Sequence, residues 1–182
     1  MNALGKCSTA LGCVICCFAL LIASVAQVGP QMPKTEGESL AGQRVVLPDA
    51  AAGKVAVLVF GFTKASKAAT SAWAAKLQAD FGARSEFELY QLPVLEDVPR
   101  FVRGMAMSSM KKGVAEDKRD HFVPILHGEA ELKELVHYKQ ADDAYLVVLG
   151  RTGNVIQQTH GTGDDATYAA VQSAIESALR QK

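Results

Sequence analysis

The run VAVLVFGF, Val55 to Phe62, constrains the fold more than any other stretch of the chain. It is an almost unbroken row of β-branched and aromatic residues, entered through the turn-forming Ala52-Gly53. A strand that alternates has one wet face, whereas a strand with no polar alternation must be covered on both. A second run of the same kind, AYLVVL, spans Ala144 to Leu149. The two runs require a sheet with packed layers on either side. After the second run, Gly150-Arg151-Thr152-Gly153-Asn154 turns directly into VIQQTH, Val155 to His160. A connection that short joins antiparallel strands, because a parallel crossover needs a dozen residues or more.

The segments between and beyond these strands carry helical periods. From Lys64 to Gly82, Ala69, Trp73, Leu77 and Phe81 recur every four residues, and Gly82 closes the row. FELYQLPVLE, Phe87 to Glu96, is strand-like and interrupted by Pro93. Asp97 and Pro99 then open a helix with Phe101, Val102 and Met105 on one face. Lys111 to Asp120 reads as a charged, solvated connection and His121 to Leu126 as a short strand containing Pro124. Glu129 to His137 reads as a short helix, and a last helix opens near Asp164 with Val171, Ile175 and Leu179 at spacing four.

All the cysteines, Cys7, Cys13, Cys16 and Cys17, precede Phe18. The Cys-x-x-Cys within CVICC lies inside the apolar run Ala10 to Ala26 and lacks the strand-then-helix setting that activates a thiol. Lys6 before the run and Ser24-Val25-Ala26 at its end make residues 1–26 a signal peptide cut between Ala26 and Gln27, or else an uncleaved signal anchor. Residues 27–41, with Gly29, Pro30 and Pro33, read as a linker, and residues 42–182 as one domain. Export makes the expected location periplasmic or secreted, with membrane contact only through the N-terminal segment if it stays uncleaved. The full chain carries 19 Lys plus Arg and 19 Asp plus Glu, a balance that gives no basic footprint for nucleic acid.

The element order is a β-α-β unit, an insertion, and a closing β-β-α unit. From about Gly42 to Leu179 the chain resembles the thioredoxin-like superfamily, through GKVAVLVFGFTKAS and DDAYLVVLGRTGNVIQQTHG. The first is similar to the core strand and elbow of peroxiredoxins, and the insertion is of the kind found in the peroxiredoxin and cytochrome-maturation branches. This resemblance implies an α/β, thioredoxin-like three-layer fold whose central mixed sheet ends in a β-hairpin and a C-terminal helix. AYLVVLGRTGNV, with the basic segment Met107 to Asp120, also resembles the assembly-factor family of the mitochondrial ATP synthase and its bacterial relatives, departing from it at Gln157-Gln158.

Superfamily chemistry needs a cysteine where the first core strand meets its helix. In the pattern Thr-x-x-Cys this chain has Thr63-Lys64-Ala65-Ser66, and in Cys-x-x-Cys it has Ser66-Lys67-Ala68-Ala69. The proline that the family carries before the closing hairpin is also missing, the chain reading Ala141-Asp142-Asp143-Ala144 there. Thr63, Ser66, Lys67 and Ala69 therefore form a degenerate redox elbow, and the expectation is a redox-inactive domain that binds a protein partner or assists assembly, with no cofactor. The alternative is a peroxiredoxin-like or thiol-independent enzyme using Ser66 as nucleophile. The plainer reading makes Ser66 a helix N-cap and Lys67 a solvated side chain. His121, His127, His137 and His160 show no metal-ligand spacing. Met105, Met107 and Met110, which could hold a soft metal, read as core filling, and the charged run Lys111 to Asp120 is the best sequence candidate for a partner contact.

Overall fold

A computed structural model describes residues 31–181. The proposed signal segment and its Ala26–Gln27 cleavage point lie outside the described residues. The sheet is built as expected around the two apolar runs. Strand β3 (Val55–Gly61) pairs in parallel with β4 (Phe87–Pro93) on one side and antiparallel with β5 (Ala144–Leu149) on the other. Strand β6 (Val155–Gly161) closes the antiparallel hairpin, giving the order β4-β3-β5-β6.

Strand alternation divides the core into two layers. Leu58, Phe60, Tyr145 and Val147 face a hairpin of β1 (Thr35–Glu38) and β2 (Arg44–Leu47), which contributes Val45 and Leu47. Leu132 of α3 (Glu129–Leu135) joins that layer. On the opposite face, Val57, Val59, Leu146 and Val148 meet Trp73, Leu77 and Phe81 of α1 (Lys67–Phe81) and Val171 and Ile175 of α4 (Asp165–Arg180). Burying each large apolar side chain in either layer contributes about 1.5–3 kcal/mol. The double cover explains why β3 and β5 contain no charged residue and, apart from the Tyr145 phenol, no polar side chain.

Three expectations change. Residues 31–41 are no linker: Met32 and Leu40 are buried, and β1 lies among them. The strand expected at His121–Leu126 is reduced to isolated bridges, Phe122 with Gln91 and Ile125 with Val94, because Pro93 on β4 has no amide hydrogen to donate to Val123 between the bonds that Val123 and Ile125 donate to the Gln91 and Pro93 carbonyls. The helix α2 (Arg100–Gly113) forms where Pro99 predicts it, yet none of its residues is buried. Met105 is 74% exposed, so it fills no core, and Met107 and Met110 are only half-buried. Part of the charged connection, Glu116–His121, is a 3-10 turn that folds back toward the sheet edge.

Candidate functional site

Strand β3 ends at Gly61, and six residues later the chain enters α1 at Lys67. Ser66 occupies the N-cap position but does not cap: its backbone is already helical (φ −70°, ψ −5°) and its side chain makes no cap hydrogen bond. The hydroxyl instead donates to the Thr63 carbonyl at 2.9 Å and is 1% exposed. Gly61 permits this, since a Cβ there would sit 2.8 Å from the Ser66 Oγ. Ala69, one turn on, is buried against Trp73 in the α1 layer, while Lys67 points into solvent. The elbow that would present a reactive side chain is thus folded inward.

Thr63 binds the elbow to the loop before β5. Its hydroxyl donates to the Ala141 carbonyl and accepts from the Ala65 amide at 3.1 Å. The same loop is held from within by Tyr145, whose phenol oxygen accepts from the amides of Lys139 (2.8 Å) and Gln140 (2.7 Å) and donates to the Gln140 carbonyl (3.0 Å). In this loop, which has no proline, a buried side chain satisfies the backbone groups. Phe62, Tyr138 and Tyr145 stand edge to face or tilted at 5.1–5.5 Å and wall the end of the sheet. Lys133, paired with Glu129 at 2.6 Å, lies 5.0 Å from the Tyr138 ring centre. The Glu129 carboxylate beside it raises the Lys133 ammonium above its ordinary range.

Next to this wall sits a pair that the sequence reading missed. His160 Nδ1 lies 2.7 Å from Asp143 Oδ2, and its ring stacks on Tyr145 at 5.4 Å. Hairpin register was the available signal: Tyr145 stands directly opposite His160, so the residue before the strand on one side meets the last residues of the strand on the other. His160 belongs to β6, as the run VIQQTH implies. The hydrogen bond of Ser66 goes to a carbonyl and that of His160 to a carboxylate, so the structure brings no nucleophile–base pair together at the elbow. His121 belongs elsewhere, 3.8 Å from Glu88 and against Tyr90. Among the described residues no group of His, Cys, Asp and Glu is arranged to hold a metal ion. A groove of about 700 Å³ opens between β1 and the start of α3, lined by Lys34, Glu36, Pro124, Leu126 and His127, and does not include the elbow.

Beneath the elbow, α1 is fastened to the far end of the hairpin. Trp73 Nε1 donates to the Gly161 carbonyl at 3.0 Å, and Gly163 passes so close over the indole that a Cβ would lie 2.9 Å from Cε2. Gly163 also has φ +83°, a conformation L side chains rarely adopt. Asp164 then caps α4 through the Thr167 amide, a hydrogen bond that holds its carboxyl below the usual range.

No protein-family model matches the sequence, and no curated protein matches it. Solved structures do. BsSco, a member of the Sco family of cytochrome c oxidase assembly proteins, aligns with a TM-score of 0.60 at 14% identity, over 85% of this chain and 96% of its own. The thioredoxin domain of thiol-disulfide oxidoreductase BVU-2223 from Bacteroides vulgatus aligns at 0.54 and 17%, over 81% and 97%. The exposed lipoprotein thioredoxin of Streptococcus pneumoniae strain TIGR4 aligns at 0.52 and 13%, over 79% and 99%. At these identities the likeness is one of fold, and the fold of this chain is thioredoxin-like.

Proposed function

We infer that this thioredoxin-like chain is an exported, redox-inactive domain that binds a protein partner or assists the assembly of one. A single observation carries the reading: the elbow where the fold keeps its reactive thiol holds Ser66 and Ala69, both buried, with the serine hydroxyl returned to the Thr63 carbonyl. A serine hydroxyl is not ionised near neutral pH, and no cysteine follows Cys17. The surfaces left for function are therefore those that bind. An assembly role for BsSco and an exposed lipoprotein among the similar folds support the reading as precedents.

The test replaces Cys7, Cys13, Cys16 and Cys17 by serine and measures insulin reduction and peroxide consumption with an external reductant. Rates at the buffer background are expected. Turnover above background that disappears in Ser66→Ala would overturn the reading in favour of an enzyme. The converse variant, Ser66→Cys with Ala69→Cys, puts two thiols three residues apart at a helix start, within disulfide reach. It is expected to form a reducible disulfide, counted by thiol titration before and after reduction.

A further inference from the structure

Helix α2 is secured at its ends and bare along its outer face. At the N-terminal end Arg103 donates to the carbonyls of Val98 (2.8 Å) and Glu96 (2.6 Å). At the C-terminal end Arg119 donates to those of Val114 (3.1 Å) and Lys111 (2.9 Å). Between these straps Phe101 is 90% exposed and Met105 74% exposed, one turn apart on the same outward stripe. Val102, Ala106 and Met110 beneath them are only half-covered. A helix of 14 residues draws most of its stability from packing an apolar face, and no apolar side chain of this one is buried. The helix also carries Arg100, Arg103, Lys111 and Lys112 and no acidic residue.

We propose that the outer face of α2 is the docking surface for a protein partner that presents an apolar stripe flanked by carboxylates, such as an acidic amphipathic helix. The inference rests on the non-catalytic, protein-binding reading above and names the surface that does the binding. Charge decides among the possible occupants. A second copy of this chain would set one all-basic helix against another, an arrangement that repels. A membrane is also anionic, but the chain enters the domain at the opposite corner. Gln31 bridges Asn154 beside the β5–β6 turn, on the far edge of the sheet and at the end where β3 begins. The start of α2 follows β4, roughly 14 Å across the strands and about 20 Å along them from that corner. An N-terminal anchor would therefore join the domain at the corner opposite Phe101. Methionine beside phenylalanine suits an adaptable contact, since the thioether chain repacks easily.

The test uses the purified protein and two fluorescent synthetic helices, one of leucine and glutamate and one of leucine and lysine, with binding read by anisotropy. The Leu/Glu peptide is expected to bind and the Leu/Lys peptide is not. Phe101→Ser with Met105→Ser should weaken binding by about tenfold or more, and Lys111→Glu with Lys112→Glu should weaken it and flatten its salt dependence. Ile156→Ser on β6, away from α2, should leave it unchanged. Circular dichroism confirms that each variant is folded, as expected for surface positions. The proposal is overturned if the α2 variants bind the Leu/Glu peptide like the wild type. It is also overturned if they lose co-sedimentation with phosphatidylglycerol vesicles while peptide binding stays unchanged, or if they abolish a wild-type dimer seen by sedimentation. Failure here moves the partner surface elsewhere and leaves the elbow reading standing, whereas Ser66-dependent turnover sinks the elbow reading whatever α2 binds.

Discussion

Helix α1 buries Ala69, Trp73, Ala74, Leu77 and Phe81 against the sheet, whereas α2, one residue shorter, holds Phe101 and Met105 in solvent and buries nothing. The first starts at the position where a thioredoxin-like fold carries out thiol chemistry. Here that start has become a packing joint: Ser66 folds under Gly61, Ala69 rests on Trp73, and Thr63 ties the joint to the Ala141 loop. The second helix projects from the β4 edge on arginine-to-carbonyl straps. The same chain spends apolar side chains on cohesion in one helix and leaves them uncovered in the other. That uncovered stripe, with only basic charges on its helix, is the basis for proposing α2 as the docking surface.

The largest effects should separate the two helices by stability alone. Trp73→Ala removes a fully buried indole and its hydrogen bond to the Gly161 carbonyl, and is expected to cost about 3–5 kcal/mol in urea unfolding. Phe101→Ala removes a ring of similar class from solvent and should stay within about 0.5 kcal/mol of the wild type. A loss above about 1 kcal/mol for Phe101→Ala would show that α2 packs on the domain more than its exposure implies, and the contrast would collapse.

A smaller effect sharpens the α1 side. Tyr145→Phe leaves the amides of Lys139 and Gln140 without their acceptor, on a ring that is fully buried. The expected cost is about 1–3 kcal/mol. Because the loop is also tied to Thr63, amide exchange should quicken at Lys139 and Gln140 and spread to Ala65 at the elbow. Quickening confined to Lys139 and Gln140 would mean that the elbow and the loop are held independently.

How much of this was legible depended on whether the cause was local. β3 and β5 stood out because a strand covered on both faces leaves no polar position, and the hairpin followed from the shortness of Gly150–Asn154. The elbow residues could be named because the departures, Ser66 for a thiol and Ala69 for its partner, are departures in residue type. Their consequences could not be read: the inward turn of Ser66 depends on Gly61, and the loop before β5 is held by the Tyr145 hydroxyl, four residues past Ala141. Met105 was misassigned because a period of four says only that residues share a face. Whether that face meets a core depends on where the insertion lands, and it lands outside the β4 edge. Residues 31–41 misled in the opposite sense, since prolines, glycines and polar residues hid Met32 and Leu40, which pack on the domain.

The smallest effect concerns the place where the α2 excursion returns to the sheet. His121, at the end of that return, lies 3.8 Å from Glu88 and against the Tyr90 ring. Burial alone would raise the Glu88 carboxyl, but hydrogen bonds from Lys54 (2.6 Å) and Tyr90 (2.7 Å) and the nearby charges outweigh it and hold Glu88 below the ordinary carboxylate range. A carboxyl whose folded value lies below its unfolded one contributes stability that is present above the unfolded value and is lost as pH falls through the folded one. The contribution is modest, because Lys54 is 44% exposed and water screens the pair. Urea midpoints of the wild type and Glu88→Gln should therefore differ near neutral pH and converge as pH falls below the ordinary carboxylate range. Acidification should quicken amide exchange in Glu116–His121 of the wild type and leave α1 protected. If the two midpoints keep their separation into acid, Glu88 holds the return by packing, and α2 is tied to the sheet edge by more than its straps.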